Sequence, residues 1–474
     1  MKVILRYFLF ITALLSVNSL LAQKTWTLKE CIDEALGKNI QLGESQLTSK
    51  LNEIGYYQSK ANEYPNFSVT DMQTNSFHNY MGGQSGVSTS YENISANNPA
   101  LNGTVTLFNG FQLKNTIKQS KYLLDAGNFD VDKMKDDITL NVVAAYLQVL
   151  YSYKALDIAN SEVNSDLTQV DKTQKLVDGG KMAELSLLQV QSQLTADKAA
   201  AVSADNQLQL AKVALMQLMN MPIVDNFNVD SNATKEPPIE NIVSAADIYK
   251  TSEGIMPEVK SAELVTKANE AGITIARGLA YPRLTFGGVL KTEYSNGNSL
   301  YSTSYSDGVI GSVDGSTLPS EQVLGIIPNT SKQNFPFSSQ ISDYFAPALS
   351  LNLTIPIWNN YQAKYGVEKA KVNLQNSQLE EQGVKNQLRE NVEQAYTDLV
   401  AAVKNYAATK DNLTAEQRTY TDIEKKYNQG LATATDFLIE KSNYEKAQQS
   451  VVQSKYTYIF KSKIVDFYLG KPLN

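Results

Sequence analysis

Two residue types that carry much of protein metal and nucleophile chemistry are almost missing from this chain. Its 474 residues include one cysteine, Cys31, and one histidine, His78. A lone cysteine closes no disulfide within the chain, so a disulfide framework is excluded. The same scarcity leaves Cys/His metal sites and thiol–imidazole nucleophiles without their parts. A Gly-rich phosphate loop and a Gly-Xaa-Ser-Xaa-Gly elbow are also absent. His78 lies in a polar stretch with no partner nearby and reads as a solvated side chain. Cys31 reads as a small buried residue on a helix. Neither a metal nor a cofactor is expected, and no catalytic constellation is visible.

Long apolar runs are missing too, apart from the first 22 residues. Lys2 and Arg6 give a basic start, Phe8 to Leu15 an apolar middle, and Leu20-Leu21-Ala22 a small-residue exit. That pattern is a secretory signal peptide, residues 1–22. A membrane anchor is the alternative, but the apolar stretch is shorter than the ~20 residues a spanning helix needs. An exported chain without such a helix is soluble, or it sits in a membrane as a β-barrel. Forty-two Lys and Arg face 49 Asp and Glu, a net charge of −7. Losing Lys2 and Arg6 makes it −9. A mildly acidic chain without a basic patch argues against nucleic acid as a partner.

What is present is a repeat. Residues 348–438 hold its clearest copy. Leu349-Ser350-Leu351-Asn352-Leu353-Thr354-Ile355 alternates strictly, as a strand with one apolar face does. Pro356 and Trp358-Asn359-Asn360 end it. A polar helical run follows from about Gln362 to Tyr427 without a proline, stops at Asn428-Gln429-Gly430, and a second helix begins near Thr435-Asp436. The order recurs earlier, with strand Gly103 to Leu107, turn Phe108-Asn109-Gly110, a long helix 113–177, a stop at Asp178-Gly179-Gly180, and a return helix from about Glu184 to Asn220. Trp358, Tyr396, Gly430, Leu438 and Pro472 each stand 250 positions after Phe108, Tyr146, Gly180, Leu188 and Pro222. A helix of about 65 residues is roughly 95–100 Å long at 1.5 Å per residue. Such helices need side-by-side partners. Val142 to Leu147 is expected to be one packed segment.

The regions before each strand also match. Thr27 to Glu30 has the form of a capping box, and Leu28, Ile32, Ala35 and Leu36 share one helical face. That helix breaks near Gly37-Lys38-Asn39 and ends at Tyr64-Pro65. Its later copy runs from Ala245 to Leu279, breaks at Pro257, and ends at Tyr281-Pro282. Pro282 follows Pro65 by 217 positions, so 250 less 217 leaves 33 extra residues between Pro282 and Pro356. First strands are expected at 66–72 and around Leu284, Phe286 and Leu290. Residues 74–100 and about 295–342, rich in Ser, Asn, Gly and Tyr, are expected to be loops. The expected organisation is residues 23–222 as a first repeat, 223–244 as a linker without its own core, and 245–474 as a second repeat. Four short strands cannot close a membrane barrel, which needs about eight or more; several chains must contribute.

At this point the chain resembles the TolC-like outer membrane efflux proteins. The resemblance rests on Thr27-Leu28-Lys29-Glu30-Cys31-Ile32 and on the paired Tyr64-Pro65 and Tyr281-Pro282. It rests also on Val105 to Gly110 beside Ile355 to Asn360, on Tyr427 to Gly430 with Asp436-Phe437-Leu438, and on the half-ends Leu218 to Pro222 and Tyr468 to Pro472. The family implies a mainly α fold with a small β part. Long antiparallel coiled-coil helices would form a trimeric α-barrel continuous with a shared transmembrane β-barrel of about twelve strands. The resemblance implies an outer-membrane exit duct reaching into the periplasm. It would serve a tripartite efflux or type I secretion system and would not be an enzyme. Its partners would be two further copies of itself, outer membrane lipid, a periplasmic adaptor and an inner-membrane pump. Adaptor docking carries over to the helix tips Gly179, Gly180, Lys181, Met182 with Ala183, and Gly430, Leu431, Ala432, Thr433. Asp436 carries over as a periplasmic gate, a ring of three carboxylates that would favour cations. A helix cap is its other reading. The family's second aspartate is replaced by Ile439, with Glu440 next, and the first-half equivalent of Asp436 is Ser186. Tyr64, Tyr281 and Tyr344 could line an aromatic belt or pack inside. A periplasmic coiled-coil scaffold or adaptor without a barrel is the alternative, although adaptors usually carry one helical hairpin rather than two. A surface enzyme would need a clustered His/Asp/Glu site.

Overall fold

The computed structural model describes residues 25–81, 89–230, 243–313 and 321–473. The expected signal peptide, residues 1–22, lies outside them, as does the side chain of His78. The chain opens with β1 (Thr25–Trp26), α1 (Leu28–Lys38) and α2 (Ile40–Ala61). The capping box forms: the Thr27 hydroxyl accepts the Glu30 N–H at 3.3 Å, and Glu30 Oε2 accepts the Thr27 N–H at 2.9 Å. Asn39 interrupts the helix in extended backbone, and its Oδ1 recaps the next segment by accepting the Leu42 N–H at 3.1 Å. Four strands follow, β2 (Asn66–Thr70), β3 (Gln73–Met81), β4 (Thr89–Asn97) and β5 (Ala100–Asn109). Then come α3 (Gln112–Asp178), α4 (Glu184–Leu218) and the short β6 (Asn228–Val229).

The second half begins with α5 (Ala245–Ile255) and α6 (Pro257–Gly278). It continues with β7 (Arg283–Lys291), β8 (Tyr294–Ser295), β9 (Ser299–Val313), β10 (Glu321–Asn334), the short α7 (Phe337–Asp343) and β11 (Ala346–Thr354). It ends with α8 (Gln362–Asn428) and α9 (Ala434–Tyr468). The repeat holds to the residue. α3 and α8 have 67 residues each, α4 and α9 have 35 each, and both ends of each pair differ by 250. α1 and α2 precede α5 and α6 by 217 at both ends.

All four of these long helices stop the same way. The Gly180 N–H bonds the Val177 carbonyl at 2.9 Å and the Lys181 N–H reaches back to the Leu176 carbonyl at 2.8 Å. Equivalent pairs close the helices at Gly430, Asn220 and Gly470. This double bond pattern needs a left-handed residue just past the helix. The φ values are +69° at Gly180, +74° at Gly430, +52° at Asn220 and +72° at Gly470.

Two compact units cut across the repeat. One comprises the described residues within Met1–Ile54, Lys121–Asn269 and Asn373–Asn474, the other those within Gly55–Ser120 and Glu270–Val372. In the first unit, Cys31, Ala35 and Leu42 pack against Val142, Val143, Tyr146, Leu147 and Leu150. The Tyr146 hydroxyl donates to the Asp230 carbonyl at 2.9 Å. A second cluster joins Ile248 and Val259 to Leu388, Val392 and Leu399. These clusters are repeat copies, since Cys31 corresponds to Ile248, Leu42 to Val259, and Val142 to Val392. Cys31 thus fills a core position that its copy gives to isoleucine. The expected linker is not coreless throughout: β6 pairs in parallel with β1, and Phe227 and Val229 are buried.

In the second unit, β11, β7, β5 and β2 form one antiparallel sheet in that order. The expected loops are corrected here. β3 and β4 pair as a hairpin, β9 and β10 pair as a longer one, and α7 follows the latter. Ser, Asn and Gly scattered among Thr, Tyr, Val and Ile lower the polarity contrast on which strand reading depends. Cross-strand pairs nonetheless form, among them Val309 with Leu324 and Thr303 with Thr330, whose hydroxyls are 3.2 Å apart.

Two tests follow from the turns and the core. Ile248→Ala should cost about 2–5 kcal/mol in denaturant unfolding, and Cys31→Ala less than about 2 kcal/mol, because the thiol occupies less volume. Gly180→Ala and Gly430→Ala should each lose about 1–2 kcal/mol by the same measurement, with asparagine tolerated better at both sites.

Candidate functional site

The tips are built by the two helix turns. At the first, Gly179, Gly180 and Lys181 are exposed, and Met182 packs at the edge of a cluster of Val190, Tyr427, Ala434 and Phe437. At the second, Gly430, Leu431 and Thr433 are exposed, while Ala432 joins the same cluster. Leu431 is the most exposed apolar side chain of either turn, at 74%. The Tyr427 and Phe437 rings stack at 4.7 Å and close the second hairpin from within.

Only the second return helix carries a side-chain cap. Thr433 Oγ1 accepts the Asp436 N–H at 3.1 Å and donates to Asp436 Oδ2 at 2.6 Å, which also accepts the Thr433 N–H at 3.3 Å. Asp436 is exposed, so its carboxylate is both a cap and a surface charge. In the first hairpin Ala183 stands at the cap without a side-chain bond, and the Ser186 N–H goes to the Ala183 carbonyl at 3.0 Å. Ile439 is exposed beside Asp436 and adds no charge.

The two turns are out of step. Tyr427 Oη lies 3.3 Å from Thr173 Oγ1, and Gln189 donates to Thr435 at 3.3 Å. The repeat counterpart of Tyr427 is Val177 and that of Thr435 is Leu185, so the hairpins are offset by about one helical turn.

Spacing did not reveal a buried charge cluster above the tips. Lys441 of α9, only 1% exposed, ion-pairs with Asp166 of α3, with Asp197 of α4 at 2.9 Å and with Glu445 of its own helix at 2.9 Å. Its partners on α3 and α4 are 275 and 244 residues away in the chain. A lysine at an inward helical position was the one available signal.

The sheet has two distinct faces. Register aligns Val69, Leu101, Leu290 and Pro347 in one row, Phe67, Gly103, Gly288 and Leu349 in the next, and Val105, Phe286 and Leu351 in a third. The alternate rows hold Asn66, Thr104 and Ser350, then Thr106, Thr285 and Asn352. Glycine in the middle row makes room: a Cβ on Gly103 would come within 2.7 Å of the Phe67 ring. Leu349, Leu351 and Leu353 stand exposed on the apolar face. Tyr64 and Tyr281 are exposed at the sheet entrances, whereas Tyr344 packs against Phe335 at 5.7 Å. Among the described residues no helix is long and apolar enough to cross a membrane, and no His/Cys/Asp/Glu group could hold a metal ion.

Comparison with known proteins agrees with this geometry. A model of the family described as "Outer membrane efflux protein" matches residues 31–221 and 254–470. "Outer membrane protein TolC" of Salmonella enteritidis is 21% identical over 385 residues, covering 80% of this chain and 70% of that protein. "Outer membrane efflux protein BepC" of Brucella suis biovar 1 is 19% identical over 356 residues, covering 75% of this chain and 68% of that one. Among solved structures, the outer membrane protein VceC of Vibrio cholerae superposes with a TM-score of 0.71 at 14% identity, over 94% of this chain and 97% of its own. The open-state outer membrane channel MtrE of Neisseria gonorrhoeae gives 0.68 at 18% identity, over 94% and 89%. The duplicated fold, the two-faced sheet and the family match lead to one assignment: this chain belongs to the outer membrane efflux protein family.

Proposed function

We propose that three copies of this chain assemble into one exit duct, each giving four strands to a shared barrel and two helical hairpins to a tube below it. The chain is an outer membrane efflux channel that extends into the periplasm. The observation that carries the trimer is the sheet. β2 and β11 form its two edges, with backbone groups unpaired along each, and one face is apolar and exposed. Open edges cannot stand in hydrocarbon, where every backbone polar group needs a partner. Pairing β11 of one copy with β2 of the next removes all edges and yields about twelve strands, an even number. The apolar rows then face lipid and the Ser/Thr/Asn rows face the lumen. A scaffold without a barrel would leave Leu349, Leu351 and Leu353 in water.

No chemistry is assigned to the chain. In this reading a periplasmic adaptor docks on the turns at Gly179 to Met182 and Gly430 to Thr433, an inner-membrane pump supplies the energy, and the tips open when these partners engage. Asp436, three times around the axis, supplies a ring of negative charge near the entrance. Its exposure and its place in the first turn of the return helix, just past the tip, support that role, which is compatible with capping.

Planar-bilayer conductance tests both parts. Wild-type protein should give small, cation-selective currents, and Asp436→Asn should lose most of that selectivity while still conducting. Unchanged selectivity would return Asp436 to capping alone; protein that stays soluble without detergent and passes no current would overturn the duct. Leu351→Arg should cost about 2–4 kcal/mol if it lies at the bilayer midplane, read as loss of heat-resistant trimer on gels.

A further inference from the structure

The Lys441 cluster lies outside the tips and the sheet, and its composition is unbalanced. Four carboxyl groups surround one ammonium: Asp166, Asp197 and Glu445 in ion-pair contact, and Glu162 at 4.0 Å. They come from three of the four helices packed there. Glu162 and Asp166 belong to α3 and Asp197 to α4, while Glu445 belongs to α9 itself. From α8, Tyr420 approaches through a hydrogen bond to Ser165, with Glu424 close by. Asp166 is 1% exposed, and its Oδ2 is buried with no hydrogen-bond donor. An ionised oxygen in that position is costly. A proton on it turns the orphan acceptor into a donor toward the neighbouring Asp197.

We infer that this cluster is a proton-binding site that ties the second hairpin's return helix to both helices of the first, and that the tie loosens when the proton leaves. Burial pushes the Asp166 carboxyl up to about 7, helped by its bond to Asp197 and opposed by Lys441. Glu162 is likewise pushed up to about 7, by burial first and then by the charge of Glu445. Burial also works to raise Asp197, but bonds from Asp166 and Lys441 outweigh it and hold that carboxylate below its ordinary range. Burial works to lower Lys441, yet Asp166, Glu445 and Asp197 hold its pKa above the ordinary value, so it stays charged.

The sign follows from which state holds the protons. Between the ordinary carboxyl range near 4 and the raised value near 7, the packed cluster binds more protons than the separated one. Packing is therefore strongest at the acid end of that window and weakens as pH rises through it. One carboxyl shifted this far changes the packing equilibrium about tenfold between pH 6 and pH 8. The consequence for tip opening rests on the duct reading above. Separation of the helices can be observed whether or not the chain conducts.

Hydrogen exchange on the full-length protein in detergent tests the site. After correction for intrinsic chemistry, protection of residues 434–445 should fall about tenfold or more from pH 6 to pH 8. The Glu162→Gln/Asp166→Asn double variant should hold its protection within about twofold over the same range. Wild-type protection that does not change with pH, or an equal loss in the double variant, would overturn the proposal. Should the double variant fail to assemble, Glu445→Gln decides. It removes the charge that raises Glu162, so the midpoint should move to lower pH, and an unmoved midpoint overturns the proposal as well.

Discussion

A sheet with two unpaired edges and one apolar face is incomplete in any solvent. In water the face is exposed; in lipid the edges are. The four-stranded sheet of β11, β7, β5 and β2 is in that position, and most other features of the chain answer to it. In the proposed trimer, further copies would complete the sheet and fix a symmetry axis. That axis would turn the single exposed carboxylate of Asp436 into a ring and a pair of helical hairpins into part of a tube wall. The hairpins carry the same demand in another form. Helices of 67 residues bury only a narrow seam within one chain. Apolar side chains such as Leu47, Leu51 and Ile54 on α2, or Val372 and Leu379 on α8, remain uncovered.

Much of this was written in local signals. Thr27 and Glu30 announced the first helix, Pro257 the break between α5 and α6, and Gly180 and Gly430 the turns, because each of these residues does something that few others can. The 250-residue offset carried every boundary of the first long hairpin onto the second. The outer hairpins were not readable in the same way. In β9 and β10, serine, glycine and asparagine are mixed among tyrosine, threonine, valine and isoleucine without a strict period, so the two faces differ little in polarity. What holds those strands is the ladder between them, which has no mark in composition. The sequence also showed Asp436 as a carboxylate after a turn without separating cap from gate, since both tasks favour an acid at that place.

The cluster at Lys441 was unreadable for a different reason. Its members show only two ordinary i,i+4 spacings, Glu162 with Asp166 and Lys441 with Glu445, and each alone looks like a common charged residue on a polar helix. Burial makes them unusual, and burial depends on how four helices meet. Cys31, by contrast, was legible as a small buried helix residue, and its repeat counterpart, Ile248, fills the equivalent core position.

The offset of about one turn between the hairpins has a further effect. Because the two halves pack out of step, duplicated positions do not face one another. Asp197 meets Lys441, yet its counterpart Ala447 is buried without charge, and the counterpart of Lys441 is the exposed Gln191. A substitution in one half therefore enters a different neighbourhood from the same substitution in the other. Two copies whose helices share their boundaries have become a matched pair, like a left and a right glove cut from one pattern. A chain made of either half twice would keep every helix boundary and lose the contact that joins the halves.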